Sequence, residues 1–256
     1  MATAQLNKSY FNDEAAKYDS KNEKGLQQLT QAIQARLDFI GADWVDDDED
    51  DDAAGGDGRQ LRLLDYACGT GMVSRALAPY TTQCVGIDIS ENMVATYNAR
   101  AENQGLAKED MFAVVGDIAD PNDPEPTSLS SPGLFNFDLA AVGGGFHHFE
   151  NPKLTATRLV ERLRPGGVLF IWDFLTHEPD NHQASHTVTH HGFSEAQVRE
   201  MFESAGAGKN FALEDLGSGI IVGGHHHGGN SHSHGHHGEG TQPRKRQVFL
   251  ARGEKL

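Results

Sequence analysis

Two aspartates at strand ends, one on each side of a glycine turn, are the groups whose spacing points most directly to chemistry. Residues 61–77 read LRLLDYACGTGMVSRAL. Leu61, Leu63 and Leu64 make a buried strand, and Asp65 closes it. Cys68-Gly69-Thr70-Gly71 then supplies a tight turn in which backbone can come close to a ligand, and a helix starts at Met72. Val85-Gly86-Ile87 makes a second strand that ends in Asp88, where a parallel sheet sets a carboxylate against ribose hydroxyls. This pair of strands fits a nucleoside-containing cofactor. It does not suit a pyrophosphate, because Asp65 puts negative charge beside the turn and Ser74 stands where a dinucleotide fingerprint has its third glycine.

The elements that must position these groups follow along the chain. Val114-Val115-Gly116-Asp117-Ile118 is a third strand running into an acid, and residues 137–142 (FDLAAV) are a fourth, followed by the loop GGGFHHF at 143–149. Residues 163–171 (LRPGGVLFI) turn into a fifth. The pattern Asp65-x-Ala67-x-Gly69-x-Gly71 resembles motif I of the class I S-adenosylmethionine (SAM)-dependent methyltransferases, and the later segments come in that family's order. The loop at 143–149 is similar to that of its ubiquinone-biosynthesis-like, small-molecule branch. The resemblance implies a Rossmann-like α/β fold, a doubly wound seven-stranded sheet that is mostly parallel with an antiparallel last strand. It also implies SAM as cofactor, with Asp88 on the ribose and Asp117 on the adenine amino group. The implied cofactor-binding set is Tyr18, Asp65, Ala67, Gly69, Gly71, Asp88, Ile89, Met93, Asp117, Ile118 and Gly143. Ala67 stands where the family often has glycine, and alanine suits that position if φ is negative.

Methyl transfer from a sulfonium is an in-line displacement. The protein must align the nucleophile, exclude water and, for a protonated nucleophile, accept a proton. His147 and His148 follow the fourth strand, where the resemblance places the transfer site, and they are the candidate catalytic residues; packing against the methionine end is the alternative role. His177, His186, His190 and His191, on the segment expected to overhang the pocket, are secondary candidates, and Tyr18 comes after them. Gly143-Gly144-Gly145-Phe146 stands where amino-group methylases of nucleic acids and glutamine carry Asn/Asp-Pro-Pro-Tyr, so the acceptor expected is a small molecule with an O, N, S or C nucleophile. Other readings are a protein methyltransferase, a regulatory protein that holds SAM without transferring the group, or an NAD-dependent reductase. No tyrosine has lysine four residues later, which counts against the last.

The rest of the chain sets the organisation. Residues 1–45 form a helical cap. Within it, 9–19 resemble the family's pocket-covering segment, and 25–40 carry Leu26, Leu29, Ile33, Leu37 and Ile40 at helical spacing. Tyr10, Phe11 and Tyr18 either line the pocket or pack as core aromatics. Asp43 and the run 46–57 hold nine carboxylates without a cation, so 46–58 reads as a solvated acidic insertion. Residues 59–256 form the methyltransferase-like domain, with an N-capping Ser194, and with 211–222 and 247–252 as its last two strands.

Between those strands the loop 223–242 is rich in Gly, Ser and His. His225, His226, His227, His232, His234, His236 and His237 could bind a divalent metal weakly, but nothing in the tract fixes a metal site. The net charge of −16 argues against nucleic acid as substrate. No apolar run is long enough for a signal peptide or a membrane span. The two cysteines, in expected core motifs, suit a reducing cytoplasmic location with the nucleus as alternative.

Both polar insertions lie outside the motifs that build the pocket. Deleting 46–58 or 224–240 is expected to leave SAM affinity nearly unchanged by calorimetry, since loop-closure entropy changes by only about 0.6 kcal/mol per doubling of length. Lost binding in a deletion variant that stays folded would place that segment in the site.

Overall fold

The computed structural model describes residues 3–45, 60–179, 184–222 and 244–256. Strands β1 (Arg62–Tyr66), β2 (Gln83–Asp88), β3 (Met111–Val115), β4 (Phe137–Gly143) and β5 (Leu163–Phe174) run parallel. After their first residue β1 and β2 are buried throughout, the pattern of strands covered on both faces. The sheet is completed by β6 (Lys209–Asp215) and β9 (Val248–Glu254), and its order is β3-β2-β1-β4-β5-β9-β6. Strand β9 is antiparallel to both β5 and β6. This is the Rossmann-like seven-stranded architecture that the motif order implied. The register sets Asp65 opposite Gly86 and Asp88 opposite Val115, so the acids gather at the carboxyl edge of the sheet.

Each face of the sheet is closed by helices that supply an apolar stripe. Leu29 and Ile33 from α2 (Tyr18–Gln34), Val73 and Leu77 from α4 (Met72–Leu77), and Tyr97 from α5 (Glu91–Asn103) fill one core. Leu159 from α6 (Pro152–Arg162), with Val198 and Phe202 from α7 (Glu195–Ala205), fills the other. Strand β5 serves both by alternation: Val168, Phe170, Trp172 and Phe174 go to the first core, Leu169 and Ile171 to the second. Ser90 caps α5 by accepting from Met93 N, and Asn151 caps α6 through Leu154 N with Pro152 in its first turn. At α7 the expected cap is a full capping box between Ser194 and Gln197, and Gly206 ends the helix in a left-handed conformation. No helix of the described residues is long and apolar enough to cross a membrane.

Two elements differ from expectation. The helix expected over 25–40 begins at Tyr18, stops at Gln34 and resumes as α3 (Leu37–Ile40). At the break the Arg36 guanidinium reaches the Ala32 carbonyl and pairs with Glu214, while the new direction buries Ile40 completely. The strand expected over 211–222 ends at Asp215, whose Oδ1 accepts from Gly217 N at 2.7 Å in a turn with Gly217 at φ 70°. Its remainder, β7 (Ile221–Val222), pairs with β8 (Arg244–Lys245) in a separate two-stranded ribbon. The seven histidines of the 223–242 loop and the acidic run 46–58 fall outside the described residues.

Arg252 joins the helical cap to the antiparallel end of the sheet. Only 7% exposed, it donates to the carbonyls of Ile40 (3.0 Å) and Asn210 (2.9 Å) and to Glu254 (3.1 Å). Arg252→Met keeps the packing stem but takes this donor from the carbonyls of Ile40 and Asn210, while Glu254 keeps Asn210 and Lys209 as partners. It is expected to lower unfolding free energy by about 2 to 4 kcal/mol in urea titration at unchanged slope; an unshifted midpoint would show that the link carries no stability.

Candidate active site

The turn after β1 is held in an unusual backbone state. Ala67, Gly69 and Gly71 have φ of 52°, 52° and 87°, so three of five consecutive residues are left-handed. For Ala67 this corrects the expectation of a negative φ: a side chain is kept where it costs about 1 to 2 kcal/mol. The surrounding bonds enforce it. Cys68 N donates to Ile87 O at 3.2 Å, Gly71 N to Cys68 O at 2.8 Å, and Gly69 N to the Asp88 carboxylate at 2.8 Å. A Cβ built on Gly69 would meet nothing within 4 Å, so the turn presents open backbone toward the cleft.

The acids at this edge play different parts. Asp88 is 7% exposed; its second oxygen accepts from Ser90 N at 2.8 Å, so it joins the glycine turn to the start of α5. Burial pushes its carboxyl up against the backbone N–H bonds that favour charge. Asp65 lies deeper. Its Oδ2 takes both the N–H (3.0 Å) and the hydroxyl (2.7 Å) of Ser74, and burial raises the carboxyl to about 7 in spite of these bonds. The charge expected beside the turn is therefore sunk beneath it, where it anchors α4. Asp117 Oδ1 accepts from the Tyr66 hydroxyl and from Ala119 N, both at 2.8 Å. Ile118 and Met93 are buried behind this end, and Ile89 is half-buried.

The N-terminal helices cross this edge. On α1 (Thr3–Glu14), Asn12 accepts from Ser90 Oγ (2.7 Å) and Asn92 N (3.1 Å), immediately beyond Asp88. Tyr18 is close enough to Asp88 and Asp19 for their charges to add to burial in pushing its phenol up to about 12. Asp19 accepts from Thr70 Oγ1 at 2.6 Å and pairs with Arg75 and Arg100, fastening α2 to the glycine turn. Sequence reasoning gave Asp19 no role, since its partners are far along the chain.

At the other side of the turn, Gly143 to His148 approach Ala67: a Cβ on Gly145 would lie 3.1 Å from that of Ala67. Gly143 and Gly144 lie on the Trp172 indole, which leaves no room for a side chain. The His147 ring Nδ1 is 2.9 Å from Asp173 Oδ1, and its backbone N–H donates to Oδ2 at 3.1 Å. Asp173 is fully buried. Burial alone would raise its carboxyl, but its contact with the His147 ring and the bonds from His147 and from Phe174 N hold it below the usual range. The sequence carries a signal for this acid, the one polar residue in VLFIWDF at the end of β5, but the strand alone does not name its partner.

His148 Nδ1 is paired with Thr187 O at 2.8 Å, and its ring lies 5.3 Å from that of Phe11. Tyr10 packs on His186 at 5.4 Å. Of the secondary candidates, His190 N donates to His147 O and stacks on Phe193, whereas His177 and His191 pair with each other farther along the rim. No group of three or more metal-ligating side chains occurs among the described residues.

Comparison with known proteins shows what this arrangement is similar to. Residues 64–169 match the family described as a methyltransferase domain. An uncharacterized methyltransferase of Schizosaccharomyces pombe is 33% identical over 155 residues, 57% of this chain and 52% of that protein. A demethylmenaquinone methyltransferase of Clavibacter sepedonicus is 32% identical over 45% of this chain and 42% of its own. The chain thus spans about half or less of these curated relatives. Among solved structures, magnesium protoporphyrin IX methyltransferase from Synechocystis, with bound S-adenosylhomocysteine, superposes with a TM-score of 0.61 over 98% of this chain and 99% of that one, at 15% identity. The donor set here fits SAM: open backbone at Gly69, an acid at the end of β2 with lone pairs to spare, and neutral donors on the acids around them.

The Asp65 carboxyl gives the cradle a pH dependence. Its folded value of about 7 lies above the ordinary aspartate value of 3.8, so the folded state holds a proton that the unfolded state has lost between those limits. Stability contributed by this group is full below about pH 4 and falls as pH rises to about 7. Asp65→Asn is expected to flatten that part of the stability profile in urea titrations from pH 4 to 8; an identical slope in both proteins would show that Asp65 ionises normally.

Proposed function

We propose that the chain is a SAM-dependent methyltransferase acting on a small-molecule O, N, S or C nucleophile, with His147 as the group that takes up the acceptor's proton. The observation that carries this reading is the buried His147–Asp173 pair beside the glycine turn. Ionised Asp173 accepts from Nδ1–H, which leaves Nε2 with its lone pair. Two backbone N–H bonds to the same carboxylate, from His147 and Phe174, fix the pair as a unit. Asp173 is a positioning residue, and Nε2 is the atom that receives the proton.

Bound in the cleft, SAM supplies an electrophilic methyl on a sulfonium. Asp88 accepts from the ribose hydroxyls and Asp117 from the adenine amino group. The turn at Ala67, Gly69 and Gly71 lets the ligand lie against backbone, and Gly143 extends that surface. Asp65 supports the turn from below. Tyr18 closes the cleft over Asp88, while Ile89, Met93 and Ile118 supply its apolar backing. His148, held on Thr187 O, orients the acceptor beside His147, and Tyr10, Phe11 and His186 supply aromatic surface around it.

The organisation we favour is a catalytic domain over 59–256, capped by 1–45, with 46–58 as a polar insertion and the histidine loop binding metal at most weakly. A cytoplasmic location suits the two buried free thiols, Cys68 and Cys84. A small acceptor of the quinone-biosynthesis kind agrees with the resemblance of the 143–149 loop and with the names of several relatives.

The test is methyl release over a panel of phenols, thiols, amines and enolisable carbons. His147→Ala is expected to lower kcat by about 10²- to 10⁴-fold with SAM affinity unchanged. Asp173→Asn should fall less and shift the pH profile. Undiminished turnover in His147→Ala would remove it from the mechanism, and no transfer to any acceptor by a wild type that binds SAM would favour the regulatory reading.

A further inference from the structure

The inner face of α1 is polar where a helix laid on an apolar core carries aliphatic side chains. Its buried residues are Asn7 and Glu14, with Phe11 between them on the same face. Glu14 is neutralised by Lys17 at 3.0 Å and Lys21 at 2.5 Å. Asn7, only 8% exposed, is half satisfied. Its Nδ2 donates to the His148 carbonyl at 3.2 Å, but its Oδ1 has no partner and is shut off from solvent. The Nδ2 bond decides which way the amide faces, because the flipped amide would set oxygen against that carbonyl. A buried amide oxygen without a donor is costly and uncommon in folded proteins. Oδ1 is an acceptor whose donor a ligand would bring.

The course of α1 indicates which donor. Asn12 lies against Ser90 and Asn92, immediately beyond Asp88. Asn7 is five residues nearer the amino end, about 7.5 Å along the helix axis, and lies over the loop of His147 and His148. The helix therefore runs from the ribose acid toward the transfer loop. With its ribose on Asp88, SAM has donors on the ribose, on the adenine amine and on the α-ammonium. The first two belong to Asp88 and Asp117; the third lies past the ribose on the opposite side from Asp117.

We propose that Asn7 Oδ1 receives a hydrogen bond from the α-ammonium of SAM, so that α1 reads the amino-acid end of the cofactor. This rests on the reading of the cleft as a SAM site. The test is calorimetry on the full chain with two probes, S-adenosylhomocysteine and 5′-methylthioadenosine, which keeps the nucleoside but lacks the amino-acid end. Asn7→Leu is expected to weaken S-adenosylhomocysteine about ten- to a hundredfold and to leave methylthioadenosine within about twofold. The free variant should melt no lower than wild type, since it loses an unsatisfied acceptor. Should the added bulk prevent folding, Asn7→Ala gives the same comparison. Unchanged S-adenosylhomocysteine affinity would overturn the proposal, as would an equal loss for both probes, which reports a disturbed cleft, or a large fall in melting temperature, which reports a structural role. A wild type that binds neither probe would instead defeat the cofactor reading itself.

Discussion

The bond pair on Asp88 is the constraint on which the rest of the site depends. One carboxylate at the end of β2 takes an N–H from the glycine turn and another from Ser90, the N-cap of α5, at 2.8 Å each. Removing both donors from water and handing them to one buried charge fixes two loops that the sheet alone would leave free. The left-handed run through Ala67, Gly69 and Gly71 is tolerable only in that setting, because its cost must be met by bonds elsewhere. The acid expected to meet the ribose is therefore also the acid that shapes the turn. Substituting it changes geometry as well as ligand bonding.

A similar economy runs through the N-terminal cap. Asp19 fastens α2 to Thr70 and two arginines, Asn12 fastens α1 to the start of α5, and Asn7 meets the histidine loop. These are polar contacts, each weaker than the burial of a large aliphatic side chain. The helix α1, whose buried residues are Asn7 and Glu14, can part from the cleft without exposing a hydrophobic core, as a cover over a diffusible ligand requires, whereas Leu29, Ile33 and Ile40 keep the rest of the cap in the core.

Legibility in the sequence followed the range of the interactions. Strands, helix caps and the acids at strand ends depend on neighbours within a few residues, so the order of β1 to β5, the Ser194 cap and the positions of Asp88 and Asp117 could be read directly. The break at Arg36 could not, since it answers to Glu214 and to the place of Ile40 in the core. Nor could the end of β6 at Asp215, because the apolar residues continue beyond Gly217 into a different ribbon. Ala67 was misjudged on φ because its conformation is imposed by bonds to β2 and not by its own preference. Asp173 and Asn7 were passed over for a related reason: their partners stand 26 and 141 residues away.

The electrostatics of the cleft give its choice of ligand a physical basis. Asp19 is matched by Arg75 and Arg100 and Glu14 by Lys17 and Lys21, while Asp173 is held by the His147 ring and two backbone N–H groups. Asp65, Asp88 and Asp117 are held by hydroxyls and backbone N–H groups, which satisfy lone pairs without cancelling charge. Burial raises the first two toward neutrality, so a cation entering the cleft gains attraction and also favours their ionised forms. SAM brings a sulfonium as well as an ammonium, and the sulfonium charge is gone from the product. The same acids that favour entry of the charged donor therefore hold the neutral thioether less tightly. A weaker hold on the neutral thioether than on SAM is thus built into the charge balance of the site.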